Sequence, residues 1–86
     1  MSTQQLAHPE PNYLQILAFE TENPHPGPDK NLRIRRELLV TETRYYVLLH
    51  RAANSLAGIQ AHPITARRVR ERADAQAKAR ASRFAA

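Results

Sequence analysis

The run from Ile34 to His50, which reads IRRELLVTETRYYVLLH, most constrains what this chain can fold into. Its apolar residues have the spacing of two helices that pack across each other at a tight turn. These residues are Ile34, Leu38, Val40, Tyr45 and Leu48. The same spacing leaves the second of the two helices with an outward polar face. This pattern predicts a helix-turn-helix.

The rest of the chain predicts an all-α fold, a small helical bundle of about four helices with a projecting basic C-terminal helix. We expect a mobile tail over residues 1–11, a helix-turn-helix core over 12–69 and a basic helical extension over 70–86. Asn12 suits the N-cap of a first helix that ends near Glu22. The proline-rich run 23–29 then predicts a loop, because proline at alternate positions cannot lie inside a helix.

The second and third predicted helices run from about Asp29 to Leu38 and from the N-cap Thr41 to about Asn54. The third should bury a face with helical spacing, made by Tyr45, Leu48, Leu49, Ala52 and Leu56. Residues 55–61 should interrupt the helices, with Gly58 as a cap. A fourth helix should begin at Pro63 and run to about Ser82.

Charge is divided unevenly along the 86 residues. Residues 1–29 contain four acidic residues and no Lys or Arg, a charge of −4. Residues 30–86 contain all 13 Lys and Arg with the other four acids, a charge of +9. The positive part begins where the predicted helix-turn-helix begins. Lysine and arginine release counterions from phosphates, so this charge favours double-stranded DNA as the partner.

In this interpretation the third helix enters the major groove and the surrounding cations contact phosphate. Arg44 can contact DNA or pair with Glu37 or Glu42, and Tyr46 can contact DNA or fill a crevice. Glu20 can pair with an arginine of the second or third helix. The predicted DNA-binding residues are Lys30, Arg33, Arg36, Thr41, Thr43, Arg44, Tyr46, Val47, His50, Arg51, Arg67, Arg68 and Arg70.

Four segments resemble a family of small actinobacterial proteins of unknown function. They read ILAFE at 16–20, IRREL at 34–38, TRYY at 43–46 and ARRVRER at 66–72, and the resemblance covers about residues 13–84. The family is similar to helix-turn-helix regulators, which implies a DNA-binding fold here. Its members have glycine in the turn where this chain has Leu39, which predicts a different turn geometry.

Several function classes find no support in the sequence. The four histidines lack metal-ligand spacing and there is no cysteine, so we expect no metal site and no cofactor. No carboxylate cluster or glycine-rich phosphate loop is present, so we expect no enzyme. No signal peptide or membrane span is found, which favours a cytoplasmic, nucleoid-associated location.

The sequence therefore predicts a DNA-binding transcriptional regulator, and two alternatives stay open. One is an adaptor or inhibitor that binds a protein of the transcription apparatus. The other is a nucleoid-type binder without sequence specificity. A homodimer is compatible with each of them.

Overall fold

The computed structural model describes residues 9–85, which form helices and no strand. The helices are α1 (Tyr13–Glu22), α2 (Pro28–Arg33), α3 (Glu42–Ala53), α4 (Leu56–Ala61) and α5 (Pro63–Ala85), and α2 continues into a π-helical turn (Ile34–Leu38). The predicted all-α fold is confirmed. Residues 1–8 of the predicted mobile tail lie outside the described residues.

The predicted N-caps of α1 and α3 are both present. The Asn12 side chain accepts a hydrogen bond from the Gln15 amide at 2.8 Å, and the Gln15 side chain accepts one from the Asn12 amide at 2.7 Å. The Thr41 hydroxyl accepts the Arg44 amide at 3.1 Å. Each cap satisfies amides that have no partner within the helix, so local sequence determines where α1 and α3 begin.

The connection between α2 and α3 is short and contains one residue with a left-handed backbone conformation. Leu39 ends the π-helical turn with φ 59°, the conformation that glycine adopts at the lowest cost. Leucine therefore accepts here the conformation that glycine would adopt at lower cost, and a turn geometry different from that of the resembled family stays a prediction. Val40 follows and packs, partly buried, against the core.

Most of the predicted interruption at 55–61 is the helix α4 (Leu56–Ala61), with Ser55 as its N-cap. The Ser55 hydroxyl caps α4 by accepting the Gly58 amide at 3.0 Å, and it donates to the Ala52 carbonyl at 2.8 Å. Gly58 is buried inside α4 and is not a cap. A Cβ at Gly58 would lie 2.1 Å from the Ala52 oxygen and 2.7 Å from Leu17 Cδ1, so only glycine allows this close approach.

The core lies where α1, α3 and the first half of α5 meet. Its buried apolar residues are Ile16, Leu17, Phe19, Ile34, Tyr45, Leu48, Leu49, Ala52, Ala53, Ala66 and Val69. Leu56, which was predicted to complete the buried face of α3, instead begins α4 and is exposed. Beyond Val69, α5 buries no residue up to Ala85. The second half of α5 therefore contributes no residue to the hydrophobic core and is exposed to solvent.

Candidate nucleic-acid interface

The outward face of α3 is the surface that the sequence predicted to read DNA. Thr43, Val47 and Arg51 follow one another at a spacing of four residues and are exposed. Tyr45, Leu48 and Leu49 point into the core on the opposite side. Thr41 is exposed but its hydroxyl already accepts the Arg44 amide as the N-cap. The structure thus leaves a strip of α3 exposed directly after the tight turn. We call this surface, made by Thr43, Val47 and Arg51, the uncovered strip.

Helix α5 runs beside this strip and shares a surface with it. A groove of about 180 Å³ lies between α3 and α5, with Leu49 and Val69 among the residues lining it and Tyr46, His50 and Arg72 among the others. Farther along α5, Arg80 lines the same surface as Thr43 and Val47. Tyr46 and His50 line both the groove and this second surface, and Thr43 and Val47 share the second surface with Arg80 of α5.

Arg44 is paired with a residue that the sequence did not suggest. Its guanidinium donates to both carboxylate oxygens of Glu10, at 2.5 and 2.9 Å. These hydrogen bonds lower the pKa of Glu10 and raise the pKa of Arg44 from their ordinary values. The expected partners Glu37 and Glu42 pair instead with Arg33 and Arg35. Since Glu10 and Arg44 are both solvent-accessible, the pair contributes little stability.

Lys30 lies in the interior rather than on a phosphate-binding surface. Only 3% of the residue is exposed, and its ammonium donates to Glu20 Oε1 at 2.7 Å. The prediction that Lys30 contacts DNA is therefore corrected, because its charge is already neutralised inside the fold. The prediction that Glu20 pairs with an arginine of the second or third helix is corrected as well, because its close partner is this lysine.

A buried polar network surrounds Glu20 and joins four helices. Glu20 of α1 accepts hydrogen bonds from Lys30 of α2 and from the Tyr45 hydroxyl of α3, the latter at 2.6 Å. Arg72 of α5 lies 3.7 Å from the second carboxylate oxygen. The Lys30 ammonium also lies 5.7 Å from the centre of the Tyr45 ring and 5.6 Å from that of Tyr46. No buried side-chain nitrogen or oxygen within residues 9–85 lacks a hydrogen-bond partner.

The tyrosines respond to this burial. Burial, and then the hydrogen bond to Glu20, raises the pKa of Tyr45 far above its ordinary value. Burial also raises the pKa of Tyr46, with a smaller contribution from the negative charge of Glu20. Both phenols are therefore neutral at physiological pH, and the Tyr45 hydroxyl donates its proton to the hydrogen bond with Glu20.

The other predicted phosphate contacts divide into two groups. Three arginines already have partners: Arg33 donates to the Asn23 side chain at 2.7 Å, Arg67 pairs with Glu71 at 3.2 Å, and Arg70 donates to the Ala53 carbonyl at 2.8 Å. Arg70 thereby ties α5 to the C-terminal end of α3. The second group is exposed and forms no salt bridge within residues 9–85; its members are Arg36, Arg51 and Arg68.

Within the same range, no helix is both long enough and apolar enough to cross a membrane.

Comparison with known proteins identifies the family. Residues 10–81 match the model of a family described as Protein of unknown function (DUF3263), and the chain belongs to that family. Searches of curated proteins and of solved structures gave no significant match.

Proposed function

We propose that this member of the DUF3263 family is a DNA-binding transcriptional regulator that places α3 in the major groove. The observation that carries the proposal is the uncovered strip of α3, which follows a three-residue connection. The opposite face of α3 packs on the core, so the strip faces solvent. The second helix of a helix-turn-helix reads base edges with residues in its N-terminal part. Thr43 and Val47 occupy that part of α3.

These two residues suit direct reading of bases. The Thr43 hydroxyl can donate to or accept from a base edge, and the Val47 methyl groups can contact the methyl group of thymine. Tyr46 and His50 line the groove between α3 and α5, so they suit contacts with DNA at the edge of its major groove. The sequence-based interpretation gave all four residues similar weight. We assign base reading first to Thr43 and Val47, because Tyr46 and His50 also line the groove between α3 and α5.

Cations around α3 support the second part of the proposal, which is binding to phosphate. Arg36, Arg51 and Arg68 are exposed without salt-bridge partners among the described residues, and Arg80 borders the α3 surface. Arg67 is exposed although it pairs with Glu71. Contacts of this kind hold the protein on the duplex without selecting a sequence. The charge of +9 over residues 30–86 attracts the negatively charged phosphates to these cations.

Affinity for duplex DNA should fall steeply with salt. Five phosphate contacts release counterions so that the association constant falls by roughly 500-fold between about 50 and about 200 mM salt. Fluorescence anisotropy with a labelled duplex measures this slope. Folded protein that shows no binding at the lower salt concentration would exclude the proposal.

Alanine variants should separate base reading from phosphate binding. Thr43→Ala and Val47→Ala should weaken binding to the preferred duplex by about 1–3 kcal/mol and leave binding to a scrambled duplex unchanged. Arg68→Ala should weaken both alike, since phosphates are the same in every sequence. The preferred duplex is the one enriched from a random-sequence pool, and circular dichroism confirms that each variant is folded.

One observation favours a second function, a nucleoid-type binder without sequence specificity. The second half of α5 is exposed and carries Lys78, Arg80 and Arg83. If this half provides most of the binding, Thr43→Ala and Val47→Ala leave the ratio of the two affinities unchanged, and truncation after Gln76 removes most of the binding. That pair of results would replace the regulator with the nucleoid-type binder.

A further inference from the structure

One stretch of this strongly charged chain contains no charge at all. Residues 52–66, between Arg51 and Arg67, include no Asp, Glu, Lys or Arg. They cover the end of α3, the whole of α4 and the first turn of α5. From 54 to 64 nearly all of them are solvent-accessible, and we call the surface of residues 54–64 the uncharged patch.

The uncharged patch exposes large aliphatic side chains. Leu56 is 72% exposed, Ile64 is 71% exposed and Ile59 is 37% exposed. Leu56 and Ile59 are three residues apart in α4 and so share a helix face. Gly58 lies between them and is buried against Leu17, which directs the aliphatic side chains of α4 away from the core.

This arrangement does not serve the core of the monomer. Gly58 is the buried residue of α4, and Leu56 lies outside the hydrophobic cluster because most of its surface faces solvent. Exposed aliphatic residues that occur singly need no explanation, but several on one continuous uncharged segment mark an interaction surface.

We propose that the uncharged patch pairs with the same patch of a second copy, in a two-fold symmetric dimer. In such a dimer each surface meets itself, so a surface that carries charge of one sign opposes the same sign in its partner. The patch is neutral and largely apolar, so two copies of it do not repel each other. Aliphatic groups at its centre would be removed from water on both sides.

Two charged surfaces within residues 9–85 cannot pair with themselves in this way. In the first, which contains the acids of residues 9–29, Glu20 is buried against Lys30 and Glu10 pairs with Arg44, but Glu22 and Asp29 are exposed and would oppose their own copies. The second half of α5 carries Lys78, Arg80 and Arg83, and two copies of that half would repel. Of these three surfaces, the uncharged patch alone does not repel its own copy, which favours a second copy over a charged partner there.

The rim of the proposed interface gives it a distinctive dependence on salt. Arg51 and Arg67 flank the uncharged segment in sequence and are exposed, so cations of the two copies approach one another at the rim. Salt screens that repulsion, and the dimer should become tighter as salt is raised. The affinity for DNA should instead fall as salt is raised.

The test is sedimentation velocity of the full chain without DNA, over a range of protein concentrations and at two salt concentrations. Leu56→Lys and Ile64→Lys should each weaken the dimer by roughly 30-fold, as expected when a central interface residue is lost. The matched control is Leu32→Lys on α2, because Leu32 is also exposed but lies outside the patch. It should leave the dimer unchanged, and thermal melts should show that all three variants fold.

A second measurement uses the absence of cysteine from the chain. A single Ile59→Cys or Ile64→Cys substitution should allow a disulfide between two copies under mild oxidation, whereas Leu32→Cys should not. A monomer at every concentration and both salt concentrations would overturn the proposal and leave the patch to a partner of different sequence. A dimer that tolerates both lysine variants would overturn it too. Because DNA is absent from these measurements, neither result depends on the proposed function.

Discussion

Replacing Lys30 with methionine should lower the free energy of unfolding by about 3–5 kcal/mol. Methionine retains much of the lysine volume, so the loss comes from the charge rather than from a cavity. Glu20 would remain 3% exposed, with its carboxylate deprived of the ammonium 2.7 Å away. Removing one partner of a buried ion pair is costly because the other charge stays in a medium of low polarity. Chemical denaturation of the two proteins measures the difference.

Two controls make this prediction specific. Arg36→Met changes an exposed cation on the adjacent π-helical turn and should alter stability by less than about 0.5 kcal/mol. Adding Glu20→Gln to Lys30→Met should recover part of the lost stability, since glutamine is neutral and still accepts the Tyr45 hydrogen bond. If Lys30→Met cost less than about 1 kcal/mol, Arg72 at 3.7 Å would be the main counterion of Glu20.

Helix ends were predictable where adjacent residues determine them. Asn12 and Thr41 were identified as N-caps, and each cap bonds an amide only three residues away. The short connection to α3 was identified from the spacing of apolar residues for the same reason. Such interactions are local, so the sequence shows both partners together.

Positions that depend on packing between distant segments were not predictable. Lys30 looks like a surface cation until α1 brings Glu20 against it, and Leu56 continues the α3 pattern until Ser55 begins a new helix. A lysine in the first turn of a helix, two residues after proline, gives no sign that it is buried. A glutamate between Phe19 and Thr21 in an otherwise apolar stretch was the one available signal of a buried acid.

The exposure of the outward face of α3 was predictable, and the residues that lie against it were less so. Thr43 and Val47 lie on the outward face of α3 because helical spacing requires it. The approach of α5 to Tyr46 and His50 could not be seen, because the direction of α5 depends on contacts such as that of Arg70 with Ala53. The pairing of Arg44 with Glu10 spans 34 residues and has no local signature.

Tyr45→Ala should be as damaging as the loss of Lys30, or more so. Tyr45 is fully buried and its ring packs edge-on against Phe19 with the ring centres 5.6 Å apart. Removing it leaves a cavity and takes a hydrogen bond from Glu20. Truncation of a buried aromatic residue costs about 3–5 kcal/mol, a large part of the stability of a domain this size. Loss of the cooperative thermal transition is the expected result, and a melting temperature near that of the wild type would contradict it.

Tyr45→Phe separates the hydroxyl from the ring and gives the effect a dependence on pH. The variant should lose roughly 1.5–3 kcal/mol at neutral pH, because Glu20 loses one charged hydrogen bond. Burial holds the pKa of Tyr45 in the folded protein well above that of an unfolded phenol, which is about 10. A raised folded-state pKa gives stability that is complete below the unfolded pKa and declines as pH rises above it. The wild type should therefore lose its advantage over Tyr45→Phe by about 1.4 kcal/mol per pH unit above about pH 10. Groups common to both proteins cancel in the difference, so a constant gap through that range would show that Tyr45 ionises without unfolding.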